Sequence, residues 1–370
     1  MPVHYSKINL LKMSPSVIRI NTALPGTPRA RVMIVYTGGT FGMVRDSSGV
    51  LIPLDFGSIL EHLPALRQLQ LELSVVAFDE PIDSSNIEPH HWREMADIVQ
   101  QHYRDQDGFV ILHGTDTMAY TASALSFMLE GLAKPVIFTG AQLPISEPRS
   151  DARENLITAL EIAAAKGREG ARVPEVCIYF GSELLRGNRA KKAESQHFDA
   201  FQSENYPPLA KAGVKIDYLD SAIHRPGPGA LLHVRSTFDS RVGVLRIFPG
   251  INPLWVRSVT ETPDLKGLIL ETYGSGNATT ARWFLDAVRN LVSRGVIVLN
   301  VSQCPGGMVI QGKYETSREL AAMGVIGGGD MTLEAAVTKM MLLLGEYGPG
   351  ETRTRIGVSM AGELTHVTVT

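Results

Sequence analysis

Short runs of β-branched and other apolar residues recur along the chain at Val32–Tyr36, Leu73–Phe78, Phe109–Leu112, Pro135–Thr139, Val176–Phe180, Val242–Ile247, Leu268–Thr272 and Val296–Val301. A strand needs near-continuous apolarity of this kind when both faces of its sheet are covered, which is the situation of parallel sheets. Longer stretches with helical periodicity lie between and after the runs: Pro89–Tyr103, Thr117–Glu130, Asp151–Ala165, Ala281–Arg294 and Met331–Leu344. In the first of them Trp92, Met95, Ala96 and Val99 fall on one stripe. Ser85 with Glu88 reads as a capping box before it, and Asp151 with Glu154 as another. Strands and helices in alternation specify an α/β fold with right-handed crossovers.

The pattern lapses between Tyr206 and Arg235, where Pro207, Pro208, Pro226, Gly227, Pro228 and Gly229 cluster. With 370 residues, the chain exceeds one ordinary domain of about 100–200 residues. The expectation is two unequal α/β domains: an N-terminal one over 31–215 with a mostly parallel sheet, a linker over 216–238, and a smaller C-terminal one over 239–370. Residues 1–30 read as an irregular N-terminal arm. A formal net charge of −3 speaks against a nucleic-acid partner. Cys177 and Cys304 are too few for a disulfide scaffold or a multi-cysteine zinc site, and Cys304 reads as a buried structural thiol. No apolar run approaches the ~18 residues that span a bilayer, and Met1–Thr40 has no signal-peptide layout. No membrane partner is expected, and a cytoplasmic location is.

In open α/β sheets ligands bind at the carboxyl ends of strands. Those ends carry Thr37-Gly38-Gly39-Thr40, then Asp83-Ser84-Ser85-Asn86, then His113-Gly114-Thr115-Asp116-Thr117, then Arg186-Gly187-Asn188-Arg189-Ala190-Lys191-Lys192. Each also has a plain structural reading: a tight turn for the glycines, N-caps for Ser85 and Asp116, a solvated surface for the lysines. Neither a dinucleotide fingerprint nor a phosphate loop is present, and His90 and His91 near Glu94 lack zinc-protease spacing. Together the groups have a chemical logic. A threonine hydroxyl is a poor nucleophile unless a base or a neighbouring cation lowers its proton affinity, and a lysine beside it can serve. A carboxylate close by suits a substrate ammonium. Thr, Lys and Asp in one place fit acyl transfer on an amide, or a site for an amino acid.

These segments resemble a known family. Thr37–Thr40 and His113–Met118 look like the two signature motifs of the bacterial-type L-asparaginases, and Asp107–Leu129 looks like the cytoplasmic, type I branch. So do Arg149-Ser150-Asp151 with Asn155-Leu156, Arg186–Arg189, and Gly327-Gly328-Gly329-Asp330-Met331-Thr332. The resemblance runs from about Val32 to Thr365 and implies hydrolysis of the side-chain amide of L-asparagine to aspartate and ammonia. It implies Thr40 as nucleophile and Thr115, Asp116 and Lys192 as a second constellation, with Lys192 adjusting the proton affinity of Thr115. Asp83, Ser84 and Ser85 would hold the α-amino and α-carboxylate groups, Asp116 the α-ammonium, and backbone N–H groups at Gly114 and Thr115 the oxyanion. Asn277 matches a position that reaches into the site of a neighbouring copy, in a homodimer or homotetramer. No metal or organic cofactor is implied.

Two departures from the family pattern stand out. The stretch Phe41–Phe56 lacks the tyrosine that assists the nucleophile in many members. At a separate effector site of some type I members, polar Thr and Arg positions are Lys191 and Glu271 here, and these two are expected to pair and fill that pocket beside Cys304. The alternatives are a glutaminase or mixed asparaginase/glutaminase, a non-catalytic amino-acid-binding protein, and the asparaginase-like subunit of a tRNA-dependent amidotransferase. The last expects a further domain and a basic RNA-binding face.

Overall fold

The computed structural model describes residues 17–23, 25–45, 51–53, 64–168, 170–312 and 315–365. Half of the stretch expected to lack a catalytic tyrosine, 46–50 and 54–56, and residues 1–16 of the expected arm lie outside the described residues.

Among the described residues the larger sheet has nine strands. They are β1 (Ile18–Asn21), β2 (Ala30–Gly38), β3 (Leu71–Ile82), β4 (Gly108–Leu112), β5 (Val136–Thr139), β6 (Val176–Phe180), β7 (Glu183–Arg186), β8 (Ala210–Ala212) and β9 (Ile216–Tyr218), in the spatial order β1-β3-β2-β4-β5-β6-β7-β8-β9. The central strands β3, β2, β4, β5 and β6 are parallel, and the edges are antiparallel. Helices α1 (Pro89–His102), α2 (Met118–Met128) and α3 (Ala152–Ala164) cover the faces. Strand β2 explains why both faces had to be covered. Its Val32, Ile34 and Tyr36 enter one core with Leu156 and Leu160 of α3. Its Met33 and Val35 enter the other with Met95 and Val99 of α1 and Leu125 of α2. Alternate residues of a strand point to opposite faces, so continuous apolarity is the record of two cores.

The smaller sheet is wholly parallel: β10 (Val242–Arg246), β11 (Gly267–Thr272), β12 (Ile297–Ser302) and β13 (Ile326–Gly327). It is covered by α4 (Pro253–Thr260), α5 (Arg282–Ser293), α6 (Glu315–Ala322) and α7 (Leu333–Arg355). Leu268 and Leu270 pack toward α5, and Ile269 toward Met340 of α7.

Several local expectations are corrected. Ile18–Asn21, read as part of an irregular arm, pairs antiparallel with β3. Ile216–Tyr218, read as the start of a linker, is the last strand of the larger sheet. The cap of α1 is Glu88 with His91, whose Nδ1 accepts from Glu88 N at 3.0 Å, not Ser85 with Glu88. Asp151 makes no cap bond to α3; its carboxylate turns outward to the backbone N–H groups of Gln142 and Leu143. Helix α7 runs past Leu344 and breaks at Gly348, with φ 69° just before Pro349. Cys304, expected to be buried, is exposed in the loop after β12, while Cys177 is buried.

Candidate active site

Strand order reverses around β2 and β4, with β3 on one side and β5 on the other. A crevice opens at the carboxyl ends of strands at such a point. The loops leaving β2, β3 and β4 meet there through glycine. Gly39 has φ +81°, and a Cβ on it would fall 2.5 Å from the Gly114 Cα. A Cβ on Gly114 would fall 2.5 Å from Ser84 Oγ. Only hydrogen fits in either gap, so the three loops pack as one layer. Thr117 Oγ1 donates to Ser84 O at 2.7 Å and Thr37 Oγ1 to Leu112 O at 2.9 Å, which ties the layer together.

Thr40 and Thr115 each follow one of the two touching glycines. Thr40 is half-buried and opens a short 3-10 turn, Thr40–Gly42, anchored by the fully buried Phe41. Thr115 is buried. Lys192 arrives from the far side on a short strand, Lys191–Lys192, paired with Phe201–Gln202. Its Nζ donates to Thr115 Oγ1 at 2.8 Å and to Asp116 Oδ1 at 2.6 Å. The Lys192 side chain is 18% exposed and that of Asp116 is 64% exposed, so the pair is reachable from solvent with one carboxylate oxygen not engaged by the lysine.

An ammonium has only protons to give, so Thr115 Oγ1 accepts from Lys192 and its own proton turns elsewhere. Among the described residues, Gln142 is the side chain within reach, with Oε1 at 3.4 Å. Gln142 Nε2 donates to His197 O at 3.0 Å, and its backbone N–H is held by Asp151. Asn155 closes this arrangement, donating from Nδ2 to Gly140 O at 3.0 Å and to Asp151 Oδ2 at 3.1 Å. Gln142 was missed in the sequence although it leaves the carboxyl end of β5, the same signal that marks the other loops.

Beneath the layer, Trp92 Nε1 donates to Thr121 Oγ1 at 3.2 Å, which lies 3.0 Å from His113 Nε2; His113 Nδ1 lies 2.7 Å from Gly114 O. Burial pushes His113 down to about 4, so the ring is neutral at ordinary pH. A carbonyl oxygen only accepts, so the ring's proton sits on Nδ1 and goes to Gly114 O, which leaves Nε2 to accept from Thr121 Oγ1. A buried chain of side chains therefore orients the peptide just before Thr115.

The other expected site residues are placed as follows. Asp83 is exposed and its Oδ1 accepts from Ser85 N at 3.0 Å. Ser84 is buried against Gly114, and Ser85 is exposed. Asn277 lies in a turn of the C-terminal domain, where its backbone bonds with Tyr273. Lys191, Glu271 and Cys304 line one cavity of about 380 Å³. The expected Lys191–Glu271 pair is absent. Strand register sets Arg246 of β10 beside Glu271 of β11, and Arg246 Nη1 takes the carboxylate at 3.6 Å. The cavity is thus lined, not filled. Among the described residues there is no cluster of metal-ligating side chains, and no helix is long and apolar enough to cross a membrane.

The domain family described as Asparaginase, N-terminal, matches residues 31–224, and the Glutaminase/Asparaginase C-terminal domain matches residues 241–356. The chain belongs to the asparaginase family. It is an amidohydrolase by that membership. It is 43% identical to L-asparaginase 1 of Escherichia coli K12 over 339 residues, covering 90% of this chain and 98% of that protein. A human 60 kDa lysophospholipase is 40% identical over 344 residues, 87% of this chain and 59% of that protein. The crystal structure of L-asparaginase I from Vibrio cholerae superposes with a TM-score of 0.82 at 38% identity, covering 91% of this chain and all of that one (100%). A larger α/β domain on a mostly parallel sheet and a smaller one on a parallel sheet are the asparaginase fold.

Proposed function

We propose that this protein is an L-asparaginase that hydrolyses the side-chain amide of L-asparagine through an acyl-enzyme on Thr40. The observation that carries the reading is the contact of Lys192 Nζ with Thr115 Oγ1 at 2.8 Å, on a loop whose Gly114 touches Gly39, the neighbour of Thr40. Thr40 Oγ1 attacks the amide carbon, its proton passes to the leaving nitrogen, and ammonia departs. Water then attacks the ester, held by Thr115 beside Lys192, and aspartate leaves with the Thr40 hydroxyl restored. The developing oxyanion is met by backbone N–H groups at Gly114 and Thr115. Asp116 accepts the substrate ammonium on the carboxylate oxygen that Lys192 leaves open, and Asp83, Ser84 and Ser85 take the remaining polar groups. The site is completed in a homodimer or homotetramer by Asn277 of a neighbouring copy. The reading uses no cofactor.

Ammonia release from asparagine and from glutamine tests this on wild type, Thr40→Ala and Thr115→Val. The expected result is release from asparagine by wild type and loss of at least about a hundredfold in either variant. Full activity in Thr40→Ala removes it as nucleophile, and no release from either amide by wild type removes the enzyme reading. The preference between the two amides rests on one methylene, about 1–3 kcal/mol of pocket fit, and the same assay reads it.

A further inference from the structure

The segment that follows α7 turns back to the N-terminal domain and enters a polar knot around the buried Arg189 and Asp330. Arg189 aims its whole guanidinium at it: Nε donates to Gly362 O at 2.8 Å, Nη2 to Thr365 Oγ1 at 3.2 Å, and Nη1 stands 2.8 Å from Asp330 Oδ2. Asp330 is itself gripped by the tail, accepting from Thr365 N at 2.8 Å and from Thr365 Oγ1 at 2.6 Å. Arg186 Nη1 donates to Gly362 O at 3.2 Å, and Asn188 Nδ2 to Ala361 O at 3.0 Å. Side chains of Arg189 and Asp330 are 1% and 3% exposed, so the fork is fixed in a place where water offers it no alternative partners.

Lys192 lies three residues beyond Arg189. Such a link spans at most about 10 Å, and here it is stiff at both ends. Arg189 closes a 3-10 turn, Gly187–Arg189, and Lys191–Lys192 is paired with Phe201–Gln202. A lysine ammonium is a point charge on a flexible stem, so where it stands depends on how firmly its backbone is held. We infer that the tail Ala361–Thr365, acting through Asp330 and Arg189, is a positioning element for the reaction, fixing the backbone from which Lys192 reaches Thr115. Arg189, Asp330 and Thr365 touch no reacting atom in this arrangement and act through Lys192. The inference rests on the reading of Lys192 as the partner of Thr115 in the reaction.

Thr365→Val tests it. The change keeps the side-chain size and removes the hydroxyl that both donates to Asp330 and accepts from Arg189, at a residue that is itself exposed. In ammonia release from asparagine, kcat is expected to fall about tenfold with KM within about threefold, a small misplacement of a reacting group being enough for that. Thr365→Ser restores the wild-type rate. In a Lys192→Met background, Thr365→Val adds less than about a twofold further loss, because two changes on one path do not multiply. Should Thr365→Val not fold, Asp330→Asn is read by the same criteria. Wild-type kcat in Thr365→Val, a Thr365→Ser variant as slow as the valine, or a loss that multiplies onto Lys192→Met overturns the inference. Wild-type kcat in Lys192→Met is a different failure: it removes the Lys192 reading, and this inference with it.

Discussion

Lys192 Nζ stands 2.8 Å from Thr115 Oγ1 and 2.6 Å from Asp116 Oδ1, so one ammonium bridges a hydroxyl and a carboxylate at the end of β4. Removing it takes away the charge that makes the Thr115 oxygen easier to deprotonate, while leaving the Asp116 carboxylate for a substrate ammonium. Lys192→Met is therefore expected to lower kcat by about 10²–10⁴ and to change KM for asparagine by much less. Steady-state ammonia release over a substrate range checks it. A loss that falls on KM alone would place Lys192 in binding and not in chemistry.

Gly39 and Gly114 are the hinge of the site's packing. An alanine at Gly39 puts a methyl carbon 2.5 Å from the Gly114 Cα, on backbone that cannot swing aside as a side chain could, and does so at φ +81°. Gly39→Ala is expected to cost about 1–3 kcal/mol of stability and to abolish ammonia release, since Thr40 and Thr115 are pushed apart together. Urea unfolding and the activity assay read the two effects. An active, undiminished Gly39→Ala would show that the loops do not need this contact.

Much of the fold was legible because burial on two faces writes itself as apolarity: Val32–Tyr36 and Val176–Phe180 are strands for the same reason that they are greasy. Edge strands carry no such record. Ile18–Asn21 reads Ile-Arg-Ile-Asn, is largely exposed and, among the described residues, pairs on one side only, so nothing in its composition separates it from an irregular arm. The site was legible where a strand end carried several polar groups in a row. It was not legible where one residue acts alone, as Gln142 does after β5, or where a cap uses an imidazole, as Glu88 does with His91. Pairing across the C-terminal sheet depends on register, which a single sequence does not fix: Arg246, not Lys191, faces Glu271.

His113 gives the fold an acid limit. Its ring is held down to about 4 by burial, against an ordinary value of 6.5. The unfolded chain takes up a proton below about 6.5 and the folded one does so only near 4, so the stability contributed by the neutral ring is complete above 6.5 and is lost as pH falls through that window. The loss amounts to about 3 kcal/mol at most. His113→Gln is expected to be less stable than wild type at pH 7.5, because the link from Thr121 to Gly114 is weakened, yet to lose less on going to pH 4.5. Urea midpoints at the two pH values decide, and equal losses in both proteins would assign the acid sensitivity to another group.

Lys339 and Glu363 form an ion pair with both side chains wholly buried, at 0% exposure, and 2.6 Å between Nζ and Oε1. The lysine also donates to Ile356 O at 2.9 Å and Val358 O at 2.6 Å, while the carboxylate accepts from the backbone N–H groups of Met360 and Ala361. Burial works to raise the Glu363 carboxyl, and Lys339 with those N–H groups overrides it and holds the group low. Lys339→Met leaves the carboxylate buried without its cation, at a cost of about 3–5 kcal/mol at pH 8. Burial then acts less opposed and the folded-state carboxyl titrates at a higher pH than in the unfolded chain. A group raised in that way is most favourable when protonated, so the variant's deficit against wild type is expected to shrink between pH 8 and pH 5. Paired unfolding curves across that range measure the gap directly; a deficit that stays constant or widens toward pH 5 would mean that Glu363 remains charged without Lys339, held by the tail's N–H groups alone.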